Sequence, residues 1–183
     1  QRPPRPPEGF SPFEPGPKAA VRPTGLYENI LRRVAPYGVR GVIWYQGEDD
    51  DARGWHAFYD ESMKALIQSW RRLWKRELPF LQVELAPLHE GLGKALNYAV
   101  IREKQRDVMD ALPGVHNVCI LDAGDARNIH VRKKRPVGER LALLARKYVY
   151  GEMELLADSP RLCSAGRADS TVSLKFLYSG SGL

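Results

Sequence analysis

The chain has 183 residues, 43% of them hydrophobic, and carries a formal charge of +6. That composition supports one packed domain and argues against wholesale disorder. The basic balance, with a pI near 9.4, speaks to solubility and non-specific attraction, not to fold. No apolar run approaches the ~18 residues of a membrane span. The two cysteines, Cys119 and Cys163, form no CxxC pair and argue against a cysteine-based zinc site. Cys119 lies in an apolar run and reads as a core residue, Cys163 lies in a polar loop, and nothing demands a disulfide between them. Gln1 opens the chain without methionine and no signal-peptide pattern follows, which leaves the compartment open.

Residues 1–21 are proline-rich, beginning Gln1-Arg2-Pro3-Pro4-Arg5-Pro6-Pro7. Proline fixes φ and removes donors, so this segment reads as an extended covering loop or tail rather than an SH3-type ligand. Leu26, Ile30, Leu31 and Val34 share one face of a predicted helix that Thr24 would cap and that would end near Pro36. Gly41 to Gln46 is nearly continuous in apolar character, as in a parallel strand, and stops at Gly47-Glu48. The acidic run Asp49-Asp50-Asp51 sits where a helix could begin. Trp55 to Trp74 is a long amphipathic helix whose aromatic stripe reads as core packing.

Leu78 to Leu85 is the second predicted strand, Tyr98 to Leu112 the next helix, and Val118 to Leu121 the third strand. Arg132 to Tyr150 is mostly helix, with Val137, Leu141, Leu144, Ala145 and Val149 facing inward. Strands alternating with helices of this length imply βαβ units and a parallel sheet. Beyond residue 157 the pattern changes: Val172 to Leu177 alternates polar and apolar residues, suggesting a separate antiparallel strand with no partner evident in the sequence. The run Arg132-Lys133-Lys134-Arg135 starts a helix and reads first as a solvated face, with a basic nucleic-acid-binding module as the lesser alternative.

Ligands of open α/β sheets bind at the carboxyl ends of the strands. Gln46 and Glu48 end the first strand there. Gln46 offers a donor for a developing oxyanion, and Glu48 a carboxylate to orient a base or hold hydroxyls. Of four histidines, His56 and His116 read as surface residues. His89 lies in the loop after the second strand. His130, in Asn128-Ile129-His130, lies between the third strand and the following helix, where a hydrolase would keep its base.

Residues 22–157 resemble the sialate O-acetylesterase branch of the SGNH hydrolases. The resemblance is carried by Arg22-Pro23-Thr24-Gly25-Leu26-Tyr27, Gly41 to Glu48, Leu78-Pro79-Phe80-Leu81-Gln82-Val83, and Asn128-Ile129-His130 followed by Val137-Gly138-Glu139-Arg140-Leu141-Ala142. It implies a flavodoxin-like α/β/α fold, removal of acetyl groups from sugar hydroxyls, and no metal or organic cofactor. It assigns the base role to His130, places Gln46 in the block that helps form the oxyanion hole, and makes Glu48 a site residue. The family usually has an acid two residues before that histidine; here it is Asn128, which can accept from imidazole but cannot stabilise imidazolium by charge. Asp122 or Asp125 would be the spatial substitutes. The residue after the histidine is Val131 in place of the usual proline.

The family's nucleophile lies in a Gly-x-Ser block ending the first strand. Residues 1–21 contain no match: Ser11 sits among prolines, and Ser181 follows the histidine without a strand-then-helix context. The reading is therefore a partial SGNH-like domain over 22–157, lacking its first strands, with residues 158–183 starting an appended β-element. The nucleophile is expected from outside this chain, the substrate is an O-acetylated sugar, and the edge of the Gly41 to Gln46 strand is left open to self-association or a complementing chain.

Overall fold

The structure, a computed structural model, describes residues 24–88, 97–125 and 128–180. The chain divides between Gly38 and Val39 into two compact units. In the first, Tyr27–Leu31 is a π-helical turn that passes into a short helix, α1 (Arg32–Val34). The expected regular helix is replaced because the Arg32 amide reaches back five residues to the Tyr27 carbonyl. Thr24 does not cap it with its side chain; it stands at φ 64° and its carbonyl accepts from the Glu28 amide at 2.9 Å. Ala35 is extended, as the residue before Pro36 should be.

The second unit is built on a parallel sheet of β1 (Val42–Trp44), β2 (Phe80–Val83) and β3 (Val115–Val118), in the order β1-β2-β3. Val42 pairs with Phe80, and Phe80 with Val115. The helices are α2 (Glu48–Ala52), α3 (Tyr59–Trp74), α4 (Tyr98–Ala111) and α5 (Lys134–Tyr148). Every residue of β2 is buried, as a central strand covered on both faces requires. Leu81, Val83 and Val118 join Val137, Leu141 and Leu144 of α5 in one apolar cluster. On the other face Phe80 meets Trp70 of α3 with ring centroids 6.0 Å apart, and Gln82 bonds to α4. The sheet is thus sandwiched between α5 and the α3–α4 pair, a three-layer α/β/α arrangement.

Several elements differ from the sequence reading. The long second helix begins only at Tyr59, after a 3₁₀ turn over His56–Phe58. His56 is half-buried there, its Nδ1 3.9 Å from Asp51 Oδ1. The third strand lies three residues earlier than the apolar run Val118 to Leu121 suggested. Its polar members are stabilised by tertiary partners: the His116 ring stacks on Tyr148 at 3.5 Å, and Asn117 enters a buried network. His116 is therefore half-buried rather than a surface residue, and burial pushes its imidazole pKa down.

The last strand is paired after all. β4 (Arg161–Ala168) and β5 (Thr171–Leu177) form an antiparallel hairpin, with Leu162 opposite Phe176 and a register shift between Leu162 and Ser164. Nothing in Arg161 to Ala168 alternates, so β5 supplies the pattern for both. Cys119 and Cys163 are free thiols. Among the described residues β1 has β2 as its one neighbour, and Ile43 is 64% exposed. No helix among those residues is long and apolar enough to cross a membrane.

Candidate functional site

Because the strands are parallel, the carboxyl ends of β1, β2 and β3 lie at one edge of the sheet. β1 leaves it through Tyr45-Gln46-Gly47 into α2. Gly47 has φ +151°, a conformation open to glycine and strained for other residues. It is also hemmed in: a Cβ there would meet Leu85 Cδ2 and Ile101 Cγ2, each at 3.2 Å. Gly124, in the loop after β3, is packed so closely on Pro87 that a Cβ would stand 2.4 Å from the proline Cδ. The loops following β2 and β3 are thereby locked together at this edge.

The Gln46 side chain is half-buried and its Nε2 donates to the Asp50 carboxylate one helical turn away. Burial pushes the Asp50 carboxyl up, and the Gln46 bond partly offsets that. The Gln46 carbonyl accepts from the Tyr59 hydroxyl at 3.1 Å and from Gln105 Nε2 at 3.4 Å. Glu48 opens α2 and is half-buried. Its charge, added to the larger effect of burial, raises the phenol of Tyr98 to about 12.

Beneath this turn is a polar network that the sequence reading missed. Gln105 is fully buried; its Oε1 accepts from the Leu85 amide at 3.1 Å and its Nε2 donates to the Val83 carbonyl at 3.1 Å. Gln82, also fully buried, donates to the Gln105 carbonyl at 3.0 Å and to Asn117 Oδ1 at 2.8 Å. Glu84 is clamped by Arg106 through two bonds of 3.0 Å. A signal existed: Gln105 occupies the same helical stripe as Ile101 and Val108, and a polar residue on an inward stripe demands a buried partner.

His130 is exposed and Asn128 half-buried. Asn128 Oδ1 accepts from the backbone amide of His130 at 2.9 Å, and the Asn128 amide donates to the Asp125 carbonyl at 3.2 Å. The Asn128 carbonyl thus shapes the loop through the main chain of His130. Asp122 is committed elsewhere, holding Arg140 through two 2.7 Å bonds that lower its carboxyl to about 2. His89, Ser11 and Ser181 lie outside the described residues. No group of three or more His, Cys, Asp or Glu among those described could hold a metal ion.

The two halves of the candidate site adjoin through Tyr45. Val131, the residue after His130, is 4% exposed and belongs to the apolar cluster against which Tyr45 packs. Lys134 Nζ stands over the Tyr45 ring at 4.5 Å. The residue before Gln46 thus touches Lys134 at the start of α5 and shares an apolar cluster with Val131, without a side-chain hydrogen bond between the two halves among the described residues.

Residues 13–147 match the family described as carbohydrate esterase, sialic acid-specific acetylesterase. The chain is 26% identical over 152 residues to the sialate O-acetylesterases of Homo sapiens and Pongo abelii, a match covering 74% of this chain and 29% of each relative. A solved carbohydrate acetylesterase from Xanthomonas citri is 37% identical, with a TM-score of 0.76 over 86% of this chain and 36% of that one. The chain thus spans less than two fifths of the length of these relatives. An α/β/α unit whose Tyr45-Gln46-Gly47-Glu48 turn and Asn128-Ile129-His130 loop share one sheet edge fits that likeness, and the chain belongs to the sialic acid-specific acetylesterase family of carbohydrate esterases, within the SGNH hydrolases.

Proposed function

We propose that the chain contributes the base-bearing part of an esterase site that removes O-acetyl groups from sialic acid or a related sugar. The serine comes from a segment outside this chain, pairing along the edge of β1 that no described strand covers. His130 takes the serine proton as Oγ attacks the acetyl carbonyl. It then returns that proton to the departing sugar oxygen, and water releases acetate from the acyl-serine in a second cycle of the same kind. One N–H of Gln46 is taken by Asp50; the other is the donor to the oxyanion. Glu48 holds sugar hydroxyls. Asn128 is a positioning residue that sets the His130 main chain.

The observation that carries this reading is the contact of Tyr45, next to Gln46, with Lys134 and with the apolar cluster that holds Val131, next to His130. A second reading is a carbohydrate-binding remnant without catalysis, favoured by the engagement of Asn128 Oδ1 with a backbone amide in place of an acid. Acetate release from O-acetylated sialic acid separates the two. It is measured on this chain mixed with a polypeptide carrying the family's Gly-x-Ser strand. Release in the mixture that falls about 10²–10⁴-fold in His130→Ala supports the esterase. Sugar binding with no release from any mixture supports the remnant.

A further inference from the structure

The opposite edge of the sheet carries a concave site. A cleft of about 520 Å³ opens where α3 ends and where the α4–β3 turn passes, beside the amino ends of β2 and β3. That volume lies in the range of small-ligand sites, roughly 300–1,000 Å³. Its lining includes Arg71, which is 7% exposed and has a partner on each guanidinium nitrogen: Nε donates to the Leu78 carbonyl at 3.1 Å, Nη2 to the Pro113 carbonyl at 2.7 Å, and Nη1 pairs with Glu77 at 3.2 Å. Glu77 is the one acid in the lining, and its charge is answered by Arg71.

Three further cations line the cleft and are exposed: Arg72, Lys75 and Arg76. Arg76 gives one N–H to the Val39 carbonyl at 3.0 Å. Among the described residues neither Arg72 nor Lys75 has an acidic partner. Cations in the last turn of a helix answer its dipole, which accounts for Arg71 and Arg72. It reaches Lys75 at the C-cap as well, and leaves Arg76, one residue beyond, less well accounted for. Lys75 stands at φ +52° at the position where glycine or asparagine is usual. The rest of the lining is Leu112, Pro113 and Gln68. Cations suit oxyanions, apolar side chains a ring face and an amide a hydroxyl, the residue types that a charged sugar calls for.

We propose that this cleft binds the oxyanion groups of an acidic glycan, at a place separate from the esterase edge. The glycan part of the proposal rests on the family reading; the oxyanion part rests on the cleft alone. Titration calorimetry of the chain with a sulfated tetrasaccharide tests it, with sodium sulfate, an uncharged tetrasaccharide and a single-stranded oligonucleotide of equal charge as comparisons. The sulfated sugar binds most tightly, and Arg72→Ala/Arg76→Ala weakens it about tenfold or more, as expected when charge-assisted bonds are lost. Lys75→Gly also weakens it while raising Tm, because glycine relieves the positive φ; a merely structural lysine would raise Tm without changing affinity. Equal affinity in wild type and the double variant, sulfate alone binding as tightly, or the oligonucleotide binding more tightly would each overturn the proposal. Acetate release in the mixture is followed on the same variants: its absence throughout speaks against the esterase reading, and the calorimetry still decides the cleft.

Discussion

The two faces of the parallel sheet are built from different chemistry. Toward α5 the contacts are mainly apolar: Leu81, Val83, Val118, Val137, Leu141 and Leu144 gather in one cluster, and the His116–Tyr148 stack is the polar exception. On the other face Phe80 packs on Trp70 of α3, but toward α4 the same strands present Gln82 and Asn117, joined by Gln105 and, at the strand end, by Glu84. Apolar burial is non-directional and holds layers together in proportion to area. Buried hydrogen bonds add little net stability but are expensive to leave unmade, so they fix positions. The polar face lies under the Gln46–Gly47 turn and ends on the Gln46 carbonyl. The dry face thus supplies cohesion, and the polar face sets where the candidate site stands.

The comparison breaks if the two faces respond alike to substitution. Leu144 is fully buried in the dry cluster, and Leu144→Ala is expected to cost about 2–5 kcal/mol in urea unfolding, leaving the Gln46 turn in place. Gln105→Leu removes partners from the Leu85 amide and the Val83 and Gln46 carbonyls, at about 1–3 kcal/mol for a group left buried and unpaired. In the complemented enzyme it should also lower kcat with KM little changed, which Leu144→Ala should not. Gly47→Ala forces a Cβ against Leu85 and Ile101 at a positive φ, and should cost about 1–3 kcal/mol while shifting the Gln46 amide, read by its NMR resonance.

The smallest effect belongs to neither face. Arg140 holds the Asp122 carboxyl at about 2, below its ordinary value. The folded state therefore favours the charged form. The stabilisation is complete above the unfolded carboxyl pKa and is lost as pH falls from about 4 toward about 2. The pair is exposed, so Asp122→Asn should remove less than about 1 kcal/mol at neutral pH and flatten the acid limb of a stability–pH curve.

The same division explains what could be read in the sequence. The helices Tyr59–Trp74, Tyr98–Ala111 and Lys134–Tyr148 were legible because one apolar stripe specifies each. β3 was misplaced because the apolar run Val118 to Leu121 outweighs Val115–Val118, whose His116 and Asn117 become strand residues only through Tyr148 and Gln82. β4 was invisible because its pairing comes from β5 across the chain. Of the candidate site, the turn at Gly47 and the loop at His130 were legible as strand ends. The network of Gln82, Glu84 and Gln105 was not, since its partners are distant in sequence and are assembled only by folding.

The central claim is that this chain holds the base and oxyanion side of an esterase site and takes its nucleophile from elsewhere. Its most direct test is intact-mass analysis after treatment with a fluorophosphonate serine probe, on the folded chain alone and mixed with a polypeptide carrying the Gly-x-Ser strand. No adduct is expected on this chain in either case, and an adduct on the complementing polypeptide should disappear with His130→Ala. A single His130-dependent adduct on this chain alone would contradict it.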